Sequence, residues 1–288
     1  MRFRGIYAPL VTPFDHRGNI YWSKVEHNLG QLRRTKLSGF LVCDRWGEGP
    51  LLSASERAKI WRRVAVLAGD DAQVLAAISG CGVANAREAV AAAAAAGCAC
   101  AVLDAPELSA VAPQADATEL YFRAVADTSA LPLVVEARLD RGAGAIVRRL
   151  AAHPAIVGAS VEGGSAAQIE STAKTCGPDF SILVRDLAVT VPSLSNGASG
   201  AVLALAAAVP FYALSIEEAV RTREREAAAD LVARALEFDG LLRAHGAPAL
   251  KCALDLRSCY GGIPRLPLLG ASPETAAAIS RSLRELSS

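Results

Sequence analysis

The sequence predicts an α/β fold, a (β/α)8 TIM barrel with a C-terminal helical appendage, and three observations carry the prediction. Eight short apolar runs alternate with helix-like segments, the pattern of βα units around a parallel sheet. The runs are apolar at nearly every position, as strands must be when helices cover one face and a packed interior fills the other. The chain has 288 residues, long for one domain but ordinary for a barrel that folds as one unit.

The predicted strands are 5–11, 39–43, 74–78, 99–103, 132–136, 156–160, 180–183 and 200–203. Between the second and third, Ser53 stands three residues before Glu56, a capping box that opens a helix running to Leu67. Asn85 precedes an alanine-rich helix over 86–96, stopped by Gly97; alanine is the best helix former and lets the helix lie close to the strands. Pro154 and Pro178 mark the turns into strands six and seven. Beyond the eighth strand, 212–223, 225–244, 248–258 and 273–286 read as helices, with a proline-rich link from Ile263 to Pro267. Residues 1–210 are therefore assigned to the barrel and 211–288 to a helical extension of the same structural unit.

Hydrophobic residues make up 52% and charged residues 20%, with a net charge of +1. Such balance offers no electrostatic footprint for nucleic acid or an anionic membrane. The first fourteen residues hold two arginines and two prolines and do not read as a signal peptide. The apolar stretch 198–214 is broken by Gly200 and Pro210, which makes it a poor membrane span. Seven cysteines, an odd number, show no metal spacing and sit mainly among apolar neighbours. Reduced buried thiols in a cytoplasmic protein are expected, with no metal and no cofactor.

Several segments, in order along nearly the whole chain, resemble the dihydrodipicolinate synthase/N-acetylneuraminate lyase family. They include Gly5-Ile-Tyr-Ala-Pro-Leu-Val-Thr-Pro-Phe14 with Asp15 and Gly18, then Gly39 to Val42 with Gly47-Glu48 and Leu52-Ser53. Gly82, Asn85, Glu88 and Ala89, then His153-Pro154-Ala-Ile-Val-Gly158, Gly197-Ala-Ser-Gly200 and Arg265-Leu-Pro-Leu268 continue the series. The resemblance implies a lyase ancestry, no cofactor, and a homo-oligomer, dimer or tetramer. It also implies a Schiff base between pyruvate and a lysine ending strand six, in an I-V-G-x-K pattern. Here that stretch reads Ile156-Val-Gly-Ala-Ser160. A hydroxyl cannot form an imine. The chain's five lysines are 24, 36, 59, 174 and 251; the first four are expected on outer helices and Lys251 in the appendage, away from the strand ends where barrel sites are built.

The same resemblance sets Glu136 where the family carries a proton-shuttling tyrosine, and Arg45 and Trp46 where it carries two hydroxyl residues. Its tyrosine pair after strand four has no counterpart between Leu103 and Thr118. Arg141 matches the arginine that binds a substrate carboxylate.

The expected mouth of the barrel carries Asp44, Asp104, Glu136, Glu162 and Asp186 with Arg45, Arg138, Arg141 and Arg185. These charges can pair with one another, or Arg141 and Arg45, with Asp44 and Trp46 beside them, can grip a small carboxylate ligand. A magnesium site of carboxylates is a third arrangement, without histidine support. Glu136 is either a general base or an ion-pair partner of Arg138 or Arg141. Trp46 either fills the vacated pyruvate space or stacks on a ligand. Ser160 as a nucleophile has no histidine near it in the pattern, and Cys43 reads as a packed thiol.

Two readings of function follow. One is a family member without imine chemistry, acting as a pseudoenzyme or small-anion-binding protein. The alternative is a lyase, hydratase or isomerase on a small carboxylate, working without lysine through Glu136 and Arg141. A regulatory subunit beside an active paralogue is a third possibility.

Overall fold

The computed structural model describes residues 2–106 and 115–286. Eight parallel strands close in sequence order into a barrel. They are β1 Gly5–Leu10, β2 Gly39–Val42, β3 Gln73–Ile78, β4 Cys100–Leu103, β5 Leu133–Arg138, β6 Ile156–Glu162, β7 Ser181–Val184 and β8 Gly200–Val202. The intervening helices are α1 Trp22–Leu32, α2 Ala54–Ala68, α3 Val83–Ala95, α4 Ala115–Ala126, α5 Gly144–Leu150, α6 Ala166–Cys176 and α7 Leu187–Ser195. After β8 come α8 Ala204–Ala208, α9 Pro210–Arg221, α10 Arg225–His245, α11 Ala247–Asp255 and α12 Pro273–Glu285.

Every expected strand is present, but β5 and β6 each run two residues past the expected end, to Arg138 and Glu162. A run read by its apolar character ends at its first polar residue, Glu136 in β5 and Ser160 in β6. The ladder does not, because Arg138 and Glu162 pair across the two strands in register. The capping box forms as expected: Ser53 Oγ accepts from Glu56 N and Glu56 Oε2 accepts from Ser53 N. Asn85 does not cap its helix. That helix begins at Val83 behind Gly82, and Asn85 lies inside its first turn. Lys36 likewise sits in the turn after α1 and not on a helix. The interval Leu103–Thr118, searched for a tyrosine pair, crosses residues 107–114, which lie outside the described residues.

Side chains sort by the two-residue strand period. One alternate set, including Tyr7, Leu41, Leu75, Val102, Val134 and Leu183, forms a small interior cluster. The other set, including Ile6, Phe40, Val74, Ala101, Val135 and Ile182, joins the larger core between strands and helices. Phe3 is fully buried with the interior cluster, and its backbone N–H donates to Ser181 Oγ at 2.9 Å.

Two ionic contacts tie α11 and the link after it to the loop that follows β2 and to α2. Lys251 of α11 is 1% exposed; its Nζ lies 2.5 Å from Glu48 Oε1 and 4.4 Å from the centre of the Phe14 ring. Arg265 makes a two-pronged bond to Glu56 at 2.7 and 3.0 Å, which holds that carboxyl down at about 2. Its backbone N–H donates to Glu48 Oε2 at 2.7 Å. A buried ion stripped of its partner is costly, so Lys251→Ala should lower stability by about 3–5 kcal/mol. Replacing both partners, Lys251→Met with Glu48→Gln, should cost distinctly less. Urea unfolding of the two variants checks the difference; equal losses would contradict it.

Candidate functional site

The strand register builds the site. Arg138 pairs with Glu162 between β5 and β6. Val161 pairs with Val184, and Val184 with Ala201, which sets Glu162 beside Arg185 and Arg185 beside Val202. Arg138, Glu162, Arg185 and Val202 thus form one level at the strand ends, and all four line a cavity of about 300 Å³. Arg45, Trp46, Asp239 and Arg243 line it from the β2 loop and from α10, while Gly246 and Ala247 lie where α10 passes into α11. The cavity is at the strand C-terminal ends, where barrels of this class carry their chemistry.

Arg185 is the hub. Its side chain is 2% exposed, with Nη2 2.9 Å from Asp44 Oδ2 and Nη1 3.4 Å from Glu136 Oε1. Burial alone would lower its pKa, but Glu136, Asp44 and Glu162 outweigh burial and raise it, so the guanidinium stays charged. Asp44 is held by its own loop: Oδ1 accepts from the backbone N–H of Trp46 at 3.0 Å and of Gly47 at 3.2 Å. That loop is tightly wound. Cys43 takes φ 66° and Glu48 φ 56°, and a Cβ on Gly49 would fall 1.7 Å from the Cys43 carbonyl oxygen, so only glycine fits. Burial raises the Asp44 carboxyl, opposed by Arg185 and Arg45.

Glu162 collects three guanidinium groups: Arg45 at 2.8 Å, Arg243 at 3.5 Å and Arg138 at 3.9 Å. Burial would raise its pKa, but Arg45, Arg185 and Arg243 outweigh it and hold the carboxyl low. Arg243 also pairs with Asp186, and Arg138 with Asp140 at 2.8 Å. Most of the expected mouth charges therefore meet and neutralise one another.

Three expectations are corrected. Glu136 pairs with Arg185, not with Arg138 or Arg141, because its side chain sits one level below Arg138. Arg141 stands in an exposed 3-10 turn, Leu139–Arg141, and is not among the residues lining the cavity; Arg138 supplies the guanidinium from this stretch. Asp104 is also outside the lining. Trp46 is 7% exposed, packs into the main core and lines one side of the cavity.

One level beneath Arg138 and Glu162, register places Glu136 beside Ser160 and Ser160 beside Leu183. Leu183 belongs to the interior cluster, so Ser160 faces the barrel interior. It is 1% exposed, and its Oγ has no hydrogen-bond partner among the described residues. No group of three His, Cys, Asp or Glu side chains is arranged to hold a metal ion among the described residues.

A family model described as the dihydrodipicolinate synthetase family matches residues 2–286. The chain belongs to the dihydrodipicolinate synthetase family. It is 30% identical over 99% of its length to a 4-hydroxy-tetrahydrodipicolinate synthase of Synechococcus sp. (strain CC9605), covering 95% of that protein. It is 28% identical over 98% of its length to a probable mitochondrial 4-hydroxy-2-oxoglutarate aldolase of Emericella nidulans, covering 94% of that protein. In fold it matches a dihydrodipicolinate synthase of Bacillus anthracis with a TM-score of 0.91 at 23% identity, covering 98% of each chain.

Members of the dihydrodipicolinate synthetase family with imine chemistry need an amine in the barrel. None of the five lysines lines the cavity. Lys24 lies against the rings of Tyr21 and Tyr260, Lys174 pairs with Glu170 on α6, Lys36 and Lys59 are exposed, and Lys251 is sealed against Glu48.

Asp239 and Arg243 were not singled out by the sequence pattern, although a signal exists. The buried stripe of α10 runs Ala228, Val232, Ala235, Phe238, Leu242, and Asp239 is the one carboxylate on it. A charge on an apolar stripe marks either a partner or a cavity. Burial, then Asp186 and Glu162 against the opposing Arg243, raises Asp239 from 3.8 to about 6. An acid with a raised native pKa destabilises the fold once it must ionise, so the cost grows as pH rises from about 4 to 6 and is complete above. Asp239→Asn should therefore raise stability at pH 7.5 by on the order of 2–3 kcal/mol and leave it unchanged at pH 3.5. Thermal or urea unfolding at both pH values checks this; the same effect at both would contradict it.

Proposed function

We propose that this member of the dihydrodipicolinate synthetase family does not form a pyruvyl imine and instead binds a small carboxylate at the barrel mouth, as a pseudoenzyme or anion-binding protein. The observation that carries the reading is Ser160. It faces the barrel interior at the position the family resemblance gives to the lysine, beneath a cavity that no lysine lines. Around that cavity Arg45, Arg138 and Arg243 present partly exposed guanidinium groups, each 39–49% exposed, which suits bidentate contact with a carboxylate. Arg185 lines the same cavity but is buried and committed to Asp44 and Glu136.

The reading in which Glu136 acts as general base has less support, because the base it requires is already an ion-pair partner of Arg185. Seven cysteines without a disulfide among them support a reducing, cytoplasmic setting, and no helix among the described residues is long and apolar enough to cross a membrane. A homo-oligomer is proposed from the family resemblance alone; one structural neighbour, at 20% identity and a TM-score of 0.90, is a monomeric dihydrodipicolinate synthase variant.

Calorimetric titration with oxalate and pyruvate, beside an assay for pyruvate-dependent condensation, tests the proposal. Binding of at least one acid without turnover is expected, with affinity reduced about tenfold or more in Arg243→Ala, the loss of one charge-assisted hydrogen-bonded contact. Condensation at an enzymatic rate, or affinity indifferent to Arg243→Ala, would overturn it.

A further inference from the structure

Every carboxylate around the cavity has a guanidinium partner except one. Asp44 and Glu136 share Arg185, Asp140 takes Arg138, Asp186 takes Arg243, and Glu162 takes Arg45 with two others. Asp239 lines the same cavity, is 8% exposed, and has neither a hydrogen bond nor an ion pair among the described residues. It projects from the buried stripe of α10 into the space a ligand of the proposed kind would fill.

We infer that Asp239 is a ligand-facing acid, and that a small carboxylate enters this cavity together with one proton taken up by Asp239. The inference rests on the anion-binding reading above and specifies how the site admits its ligand. The physical reason is a count of charge. Four guanidinium groups line the cavity, and five carboxylates already engage them. A sixth carboxylate in ionised form has no counter-charge left, and an incoming anion adds repulsion to desolvation. Protonated, Asp239 becomes a hydrogen-bond donor and offers its O–H to a ligand oxygen, so that one protonation removes a repulsion and creates a contact. The ligand-free protein is already near that state, since burial holds the group at about 6.

The groups facing Asp239 are consistent with this. Arg243, on its own helix, is drawn away towards Asp186 at the start of α7 and Glu162 at the end of β6. From α8 come four alanines and one leucine, and α11 opens on Ala247-Pro248-Ala249. Neither supplies a charge that would hold Asp239 ionised.

The test is the pH dependence of oxalate affinity, measured by calorimetry between pH 5 and 8, where both oxalate carboxyls stay ionised. Titrations at one pH in buffers of different ionisation enthalpy count the protons taken up. The wild-type protein should bind about tenfold more weakly for each pH unit above roughly 6.5, with close to one proton absorbed per oxalate. Asp239→Asn, which keeps the shape and supplies an amide donor, should bind with a flat profile and no proton uptake. This variant also separates Asp239 from His16, His27, His153 and His245, which remain in both proteins. Oxalate binding that is flat in the wild type, or that slopes equally in Asp239→Asn, overturns the inference and leaves the anion-binding reading standing. Absence of oxalate and pyruvate binding at every pH overturns both.

Discussion

The barrel mouth depends on one buried cation. Arg185 leaves β7 almost fully buried at the cavity, and its charge is compensated by Asp44 from the loop after β2 and by Glu136 from β5. Neither the ion nor its partners would be tolerable there alone, since the cost of desolvating each is met only by the others. That mutual requirement fixes the loop after β2, whose left-handed residues and crowded glycine bring Asp44 to the contact. It also bears on Glu162, beside Arg185 at the strand ends, which takes the guanidinium groups of Arg45, Arg138 and Arg243 in one compensated layer.

The arrangement bears on chemistry as well as stability. Position 160 lies one level beneath Arg138 and Glu162, and the chain places no ammonium group there. Serine at this position puts a small neutral group beneath the network, and the network above it is accordingly an arginine and carboxylate layer. On the proposed reading, the family barrel has been kept as a scaffold while its mouth has turned from covalent capture to ionic recognition. The C-terminal helices take part, because α10 forms one wall of the cavity and α11 locks to the β2 loop through Lys251.

Much of this was legible in the sequence. The continuous apolar runs gave every strand to within two residues, and Ser53 with Glu56 gave a helix start, because both signals are local. The serine at position 160 was legible for the same reason. Pairing was not. Glu136 meets Arg185, and Arg141 turns outwards, because strand register and tilt decide which side chains share a level, and neither is written in one strand's residues. Asp239 was harder still: it reaches the mouth from a helix beyond the barrel, and only the packing of α10 reveals it. Its trace in the sequence is a single acid on an apolar stripe.

The measurement that bears most directly on the central claim is mass spectrometry of the intact protein after incubation with pyruvate and sodium borohydride, which fixes any imine as a stable amine. The account predicts an unmodified mass, with an imine-forming family member modified in parallel. A stoichiometric pyruvyl adduct mapped to any lysine of this chain would contradict it.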